Sequence, residues 1–221
     1  MSRFDELIKI AREIANRINL KQNKNLKEFM DSVFREVAER FNLCKDYQAR
    51  AKAYGDAFEA IFMVIMETFF PDVELTYQYE IPEICMTGEG KADFVILKKE
   101  KIQGGDSKAT GKTDKIIAVI EAKGSSDHII CDGKRIELTR PGMIRTDTVK
   151  KAISNAAQVK YGLSKDVLFI VVTSHKPTKG NAKCMIDLAL NSGLFDMVVD
   201  VTNFDELEKM VSLIKERLKF N

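Results

Sequence analysis

The feature that most constrains the fold is an unbroken run of five apolar residues, Ile116 to Ile120, that leads directly into Glu121 and Lys123. A run without alternation is typical of a strand that is buried on both faces, at the centre of a sheet covered by helices. Two charges at the end of such a strand are costly unless they are paired or bind an ion. The sequence therefore predicts a central strand whose end carries polar chemistry.

The spacing of apolar residues divides the chain into a helical first part and an alternating remainder. Apolar positions recur every three or four residues up to Phe69, which predicts two helices over 4–41 and a third from Asp46 to Phe69. The later elements are predicted as strands at 73–81, 92–97 and 115–120, a helix at 146–161, a strand at 167–173, a helix at 182–191, a strand at 197–201 and a helix at 204–218. This order predicts an α/β fold, a mixed β-sheet flanked by helices with a helical N-terminal extension.

Composition narrows the class of protein. Lys and Arg total 35 against 33 Asp and Glu, and the net charge of +2 does not by itself indicate nucleic-acid binding, so any basic surface must be local. No stretch reaches 18 apolar residues, and the N-terminal residues lack the basic and apolar regions of a signal peptide. We therefore expect a cytoplasmic protein without a membrane span.

The four cysteines are spread widely along the chain, at Cys44, Cys85, Cys131 and Cys184. None belongs to a Cys-x-x-Cys pair and only two histidines accompany them, so the spacing gives no sign of a zinc or iron–sulfur site. We expect reduced thiols, most of them in the core.

Three residues with catalytic chemistry are expected to meet at one end of the sheet. Asp93 lies near the start of the second strand, and Glu121 and Lys123 end the third, where side chains two residues apart point to the same side. If these strands pair antiparallel, Asp93 lies beside Glu121. The two carboxylates and the carbonyl oxygen of Ala122 would then form an oxygen-lined site for Mg²⁺, and the amine could orient an attacking water. The alternative is an ordinary ion pair at a strand end.

The segments Gly90 to Ile96 and Ile117 to Gly124 carry these residues, and they resemble the PD-(D/E)xK nuclease superfamily, which has the restriction-endonuclease-like fold. The resemblance covers roughly residues 46–173, where the order of helix and strands is also similar, and the chain looks most like a type II restriction endonuclease.

The resemblance implies a division of chemical roles. Asp93 and Glu121 would bind Mg²⁺, and Lys123 would position the water that hydrolyses a phosphodiester bond to leave a 5′-phosphate and a 3′-hydroxyl. Ala92 stands where the superfamily commonly has proline, a variation that leaves the chemistry intact.

Three further residues match two elements of the same superfamily. Glu59, beside the apolar stripe of the third helix, corresponds to a carboxylate that helps to hold a metal in many members, and a solvated helix glutamate is the alternative. Gln158 and Tyr161 resemble a Gln-and-Tyr element, with a spacing one residue shorter than the commoner form. We place Gln158 among the expected DNA-binding residues and expect Tyr161 to face inward.

An insertion near 124–145 follows the central strand. Short apolar runs on either side of Asp132-Gly133 predict a β-hairpin. Its arginines could contact the DNA backbone or base edges, and the expected contacts are Arg135, Arg140 and Arg145. The expected organisation is a helical extension over 1–45 and a nuclease domain over 46–221 that contains this hairpin.

The polar connection over 98–115 contains six lysines against three acidic residues, so it is either mobile or in contact with phosphate. Gly111-Lys112-Thr113 within it does not form a nucleotide-binding P-loop, because Asp106 stands where that motif needs its first glycine and a strand follows where it needs a helix. We expect no nucleotide cofactor.

Taken together, these patterns predict a Mg²⁺-dependent endonuclease that hydrolyses phosphodiester bonds in double-stranded DNA, as a type II restriction endonuclease does. An enzyme of this size that cuts both strands is expected to be a homodimer. Two alternatives stay open, namely a structure-specific repair or recombination nuclease and a non-catalytic DNA-binding protein on the same scaffold.

Overall fold

A computed structural model describes residues 2–45, 47–84, 91–99 and 115–220. Its helices are α1 (Arg3–Arg17), α2 (Leu20–Asn23), α3 (Leu26–Arg40), α4 (Tyr47–Phe69), α5 (Thr146–Gln158), α6 (Gly180–Asn191) and α7 (Phe204–Phe220), with a 3₁₀ turn at Gly142–Ile144 and a π-helical turn at Val159–Leu163. Its strands are β1 (Thr76–Glu80), β2 (Lys91–Lys98), β3 (Lys115–Lys123), β4 (His128–Cys131), β5 (Lys134–Glu137), β6 (Leu168–Thr173) and β7 (Met197–Asp200).

The main sheet has five strands in the order β1-β2-β3-β6-β7. Strands β1, β2 and β3 pair antiparallel, whereas β6 and β7 run parallel to β3 and to each other. The apolar run thus forms the middle strand, and its residues from Ile117 to Ala122 are buried. The expected mixed sheet flanked by helices, with a helical N-terminal region, is confirmed.

Apolar cores lie on both faces of this sheet. Helices α1, α3, α4 and α7 cover one face, where Phe62 of α4 meets Phe94 of β2 edge to face with ring centroids 5.3 Å apart. Helices α5 and α6 cover the other, where Phe169 of β6 stacks on Phe195 at 5.9 Å. Burying one such side chain contributes roughly 1.5–3 kcal/mol. The helices that precede residue 45 therefore share a core with α4 and the sheet.

Strands β4 and β5 form the small antiparallel hairpin that the Asp132-Gly133 signal predicts. Both turn residues have positive φ, 50° and 74°, as a two-residue hairpin turn requires. The hairpin follows β3 directly, so it projects from the end of the sheet that carries Glu121 and Lys123.

The expectation of reduced cysteines is wrong for Cys44 and Cys131, which form a disulfide with Cα atoms 5.7 Å apart. The turn after α3 packs against β4, and this contact brings together two residues that lie 87 positions apart in the sequence. Cys131 lies in the core as expected, whereas Cys184 is free and exposed. Cys85 lies outside the described residues.

One other expectation is wrong, and one falls largely outside the described residues. The helix predicted to reach residue 161 ends at Gln158, and the π-helical turn that follows turns Tyr161 outward, so the side chain expected to face inward is 73% exposed. Most of the polar connection, 100–114, including the Gly111-Lys112-Thr113 segment, lies outside the described residues.

Across the described ranges, no helix is at once long and apolar enough to cross a lipid bilayer.

Candidate active site

The pairing of β2 with β3 brings the three predicted catalytic residues together. Phe94 pairs with Ile120 where this antiparallel ladder ends, which puts the next residues along, Asp93 and Glu121, beside each other. The Nζ atom of Lys123 lies 2.5 Å from Glu121 Oε1 and 3.6 Å from Asp93 Oδ2. The two carboxylates therefore share one amine.

The carbonyl oxygen of Ala122 faces the same amine, at 3.3 Å from Lys123 Nζ. The main-chain N–H of Ala122 in turn donates to Asp93 Oδ2 at 2.8 Å, which ties the start of β2 to the end of β3. All three oxygen-bearing residues predicted to bind Mg²⁺ at the strand end thus surround a single positive charge.

Burial shapes the protonation of this group. Glu121 is 2% exposed, and burial raises the pKa of its carboxyl, against the opposing effect of Lys123. Burial lowers the pKa of the Lys123 amine, but Glu121 and Asp93 outweigh it, so the pKa is raised and the amine stays charged at neutral pH. The site is therefore an ion cluster with one internal cation.

Glu59 faces this cluster from α4. Burial raises the pKa of its carboxyl to about 8, and Asp93 adds to the rise. The Tyr77 hydroxyl on β1 donates to Glu59 Oε2 at 2.8 Å, and the Phe4 ring of α1 stacks on Tyr77 with centroids 3.7 Å apart. Glu59 is thus held towards the sheet end rather than free in solvent, and the N-terminal helix supports its partner.

A cleft of about 520 Å³ opens beside the cluster, between α4, the end of β3, the hairpin and the segment before α5. Lys123, Glu59 and Ile136 of the hairpin all lie on its wall. Three arginines line the cleft besides Lys123, namely Arg50, Arg140 and Arg145, and two acidic residues, Glu59 and Glu137, also line it. Its wall therefore carries more basic than acidic side chains.

The three arginines expected to contact DNA do not share one surface. Arg140 and Arg145 line the cleft, and Arg145 also makes two hydrogen bonds to Asp147, at 2.7 and 3.0 Å. Arg135 pairs with Glu137 at 2.5 Å and lines a separate cavity against α3. The structure thus brings two of the three to the cleft.

Hydrogen bonds between residues that are distant in sequence fix the segments at the mouth of the cleft. The main-chain N–H of Ser125 donates to Ser174 Oγ at 3.0 Å, and Ser125 Oγ accepts from the N–H of Gly142 at 3.3 Å. Gly142 has φ of 56°, and a Cβ there would lie 2.8 Å from Thr173 Oγ1. The loops after β3 and β6 are therefore tied to the turn that begins α5.

Helix α5 contributes a residue that the sequence patterns did not single out. Asn155 is 5% exposed, and its Nδ2 donates to Glu121 Oε1 at 3.0 Å. The signal that could have found it is an amide beside an otherwise apolar helical stripe of Val149, Ala152 and Ala156. Gln158, three residues later, is half-buried and does not line the cleft.

The donors at the strand end suit a hard cation. Within the described ranges, no group of three or more His, Cys, Asp and Glu side chains is arranged to hold a metal ion. Asp93, Glu121 and the Ala122 carbonyl instead offer a small all-oxygen set, and Mg²⁺ is usually bound by one or two carboxylates with waters completing its shell. The buried Oδ1 of Asn155, which no described residue satisfies, adds a further oxygen next to Glu121. The residues present therefore fit Mg²⁺.

Comparison with solved structures finds a likeness to a complex of the restriction endonuclease PspGI with its substrate DNA, with 13% sequence identity and a TM-score of 0.48 over 96% of this chain and 82% of that one. No protein-family model matches the sequence, and no curated protein does.

Proposed function

We propose that the protein is a Mg²⁺-dependent endonuclease that hydrolyses phosphodiester bonds in double-stranded DNA, in the manner of a type II restriction endonuclease. The observation that carries the proposal is the meeting of Asp93, Glu121 and Lys123 at the end of one buried strand, beside a cleft lined by arginines. Their order and spacing resemble the PD-(D/E)xK pattern, which supports the same reaction.

Asp93, Glu121 and the carbonyl of Ala122 would hold the ion, with Glu59 as a further carboxylate from α4. Bound Mg²⁺ supplies a Lewis acid that polarises the phosphoryl oxygens. The Lys123 ammonium would orient the attacking water and offset negative charge that develops on the phosphoryl group. The water oxygen forms a bond to phosphorus and gives up a proton to solvent, while the bond from phosphorus to the 3′ oxygen breaks and that oxygen takes up a proton. The products are a 5′-phosphate and a 3′-hydroxyl.

The cleft supplies the surface for the DNA backbone. Arg140 and Arg145 lie on its wall, at the same mouth as Lys123, where guanidinium groups bind phosphate well. A homodimer would place two such clefts on the duplex and so cut both strands. Gln158 and Arg135 are not on this wall, so we assign the phosphate contacts to the other two arginines.

The test is cleavage of plasmid, linear phage and branched DNA with Mg²⁺ or with EDTA. The wild-type chain should cut linear phage DNA into discrete fragments in Mg²⁺ only. Glu121→Ala should abolish cutting, and Glu208→Ala, an exposed glutamate on α7, should not change it.

Other outcomes decide between functions. Cutting confined to branched DNA would replace restriction with a repair or recombination role that uses the same residues. Binding without cutting in any metal would identify a non-catalytic DNA-binding protein and contradict the proposal.

A further inference from the structure

Asn155 occupies a costly position for an amide. It lies on the sheet-facing side of α5, between the buried residues Ala152 and Ala156, and is itself 5% exposed. A buried amide costs free energy unless both its donor and its acceptor are satisfied. Only the donor is satisfied by the described residues.

The side-chain N–H group of Asn155, its donor arm, fixes the carboxylate of Glu121. Asn155 Nδ2 lies 3.0 Å from Oε1, the same atom that Lys123 Nζ approaches to 2.5 Å. The two donors come from different elements, α5 and the end of β3, and meet on one oxygen. They therefore fix the rotation of the carboxylate, while its second oxygen stays outside this pair of contacts.

The acceptor arm has no such partner. Asn155 Oδ1 is buried and accepts no hydrogen bond from the described part of the chain. Exchanging the two amide atoms does not solve the problem, because it would place an oxygen against the Glu121 carboxylate. An unsatisfied buried acceptor costs about 1–3 kcal/mol, so its position beside a ligand carboxylate calls for a donor that enters with a ligand.

We infer that Asn155 is a positioning residue for the cation site. Its Nδ2 orients Glu121, and its Oδ1 accepts a hydrogen bond from a water molecule that enters with the ion. Such groups behind a ligand typically contribute 10–100-fold to metal affinity. The inference rests on the proposed function in that it takes Glu121 as a metal ligand, but it concerns binding of the ion and not the cutting of DNA.

The experiment measures cation binding without DNA. Mn²⁺ is titrated into the full-length chain and the free ion is followed by electron paramagnetic resonance. Asn155→Ala, which removes both arms, and Asn155→Leu, which keeps the volume, should each weaken binding 10–100-fold. Ser154→Ala, its exposed neighbour on α5, is the matched control and should bind as the wild type does.

Cleavage kinetics add a readout that a merely structural role would not move. In the Asn155 variants, the Mg²⁺ concentration for half-maximal rate should rise while KM for DNA stays unchanged, and high Mg²⁺ should recover part of the rate. A change in KM alone, with the same Mg²⁺ dependence, would overturn the inference.

A measurement on the wild type guards against variants that fail to fold. The side-chain amide NMR signals of Asn155 should shift when Mg²⁺ is added, and those of Asn191, at the far end of α6, should not. An unmoved Asn155 signal at saturating Mg²⁺ would overturn the inference without any variant.

The failures of the two proposals differ. Weaker Mn²⁺ binding in the Asn155 variants of a protein that cuts no DNA would uphold this inference and reject the endonuclease. DNA cutting by a wild type whose Asn155 variants bind Mn²⁺ equally well would reject only this inference. A wild type that binds no Mn²⁺ would reject both.

Discussion

The Nζ atom of Lys123 lies 2.5 Å from Glu121 Oε1, which is the nearest of its partners among the described residues. The same Nζ atom lies 3.6 Å from Asp93 Oδ2. It is thus the positive charge that the two carboxylates share. Without it, two carboxylates on neighbouring strands would face each other with no positive charge between them.

Replacing this amine should therefore have two effects. Lys123→Met should lower the thermal stability of the metal-free protein, because a buried carboxylate is left uncompensated, and should slow DNA cleavage by about 10²–10³-fold. Scanning calorimetry with EDTA and single-turnover cleavage measure the two effects. Added Mg²⁺ should raise Tm more in the variant than in the wild type. Lys151→Met, an exposed lysine of α5, is the control, and equal losses in both variants would contradict the prediction.

The pH dependence of stability should report Glu59. Its pKa is raised in the folded state to about 8 from 4.5, so the folded chain binds more protons than the unfolded chain between these values. The stability contributed by the protonated carboxyl is therefore present below pH 4.5 and lost as pH rises towards 8. Urea unfolding of the metal-free protein from pH 5 to 9 should show this fall, and Glu59→Gln should flatten it. The same slope in both proteins would contradict the assignment.

The stacking of Phe4 on Tyr77 links the N-terminal helix to the site. Phe4→Ala should lower the free energy of unfolding by about 2 kcal/mol, since it removes a half-buried ring and an aromatic pair. Because Tyr77 holds Glu59, Mg²⁺ affinity should fall as well. Phe220→Ala, a ring that is 81% exposed, should change neither quantity. Chemical denaturation and Mn²⁺ titration measure the two effects, and unchanged affinity in Phe4→Ala would argue against the link.

The Cys44–Cys131 disulfide should stabilise the chain through the long loop that it closes. A loop of 87 residues corresponds to about 4.6 kcal/mol, so Cys44→Ser should unfold at lower urea concentration than the wild type. A reducing agent should destabilise the wild type to the same extent and leave Cys44→Ser unaffected. Cys184→Ser, at the exposed free cysteine, serves as the control. A wild type that is insensitive to reduction would contradict the pairing.

Variants of the three arginines should differ in how their DNA affinity depends on salt. Arg140→Ala and Arg145→Ala should each reduce the slope of log affinity against log salt by about 1, as the loss of one phosphate contact does. Arg135→Ala should leave the slope unchanged, because this side chain lies away from the cleft and pairs with Glu137. Fluorescence anisotropy with duplex DNA in Ca²⁺ or EDTA measures it. An equal reduction of the slope in all three variants would show that Arg135 contacts DNA as well.

Local patterns carried most of the fold. The unbroken run in β3 and the alternation around Asp93 depend only on neighbouring residues, so the strands could be predicted. Antiparallel pairing was the condition for Asp93 to meet Glu121, and the structure fulfils it. The roles of these residues stay predictions. Features that depend on how distant elements pack could not be read in this way.

Arg135 on β5 shows what could not be predicted from the sequence of a single strand. Ile136 and Glu137 of β5 both line the cleft, whereas Arg135 lines the separate cavity against α3 although it pairs with Glu137. The alternation of a short, exposed strand therefore does not tell which of its side chains reach the cleft. Asn155 and the Cys44–Cys131 pair depend in the same way on the docking of α5 and α3, which no nearby residue reports.

The disulfide also has a consequence for anyone who trims this protein. It fastens the hairpin, whose Ile136 borders the cleft, to the turn after α3. A version that starts after residue 45 would lose that anchor together with the ring that steadies Tyr77. Helices α1 to α3 thus brace the cleft and Glu59, and deleting them should loosen a wall to which they contribute no residue.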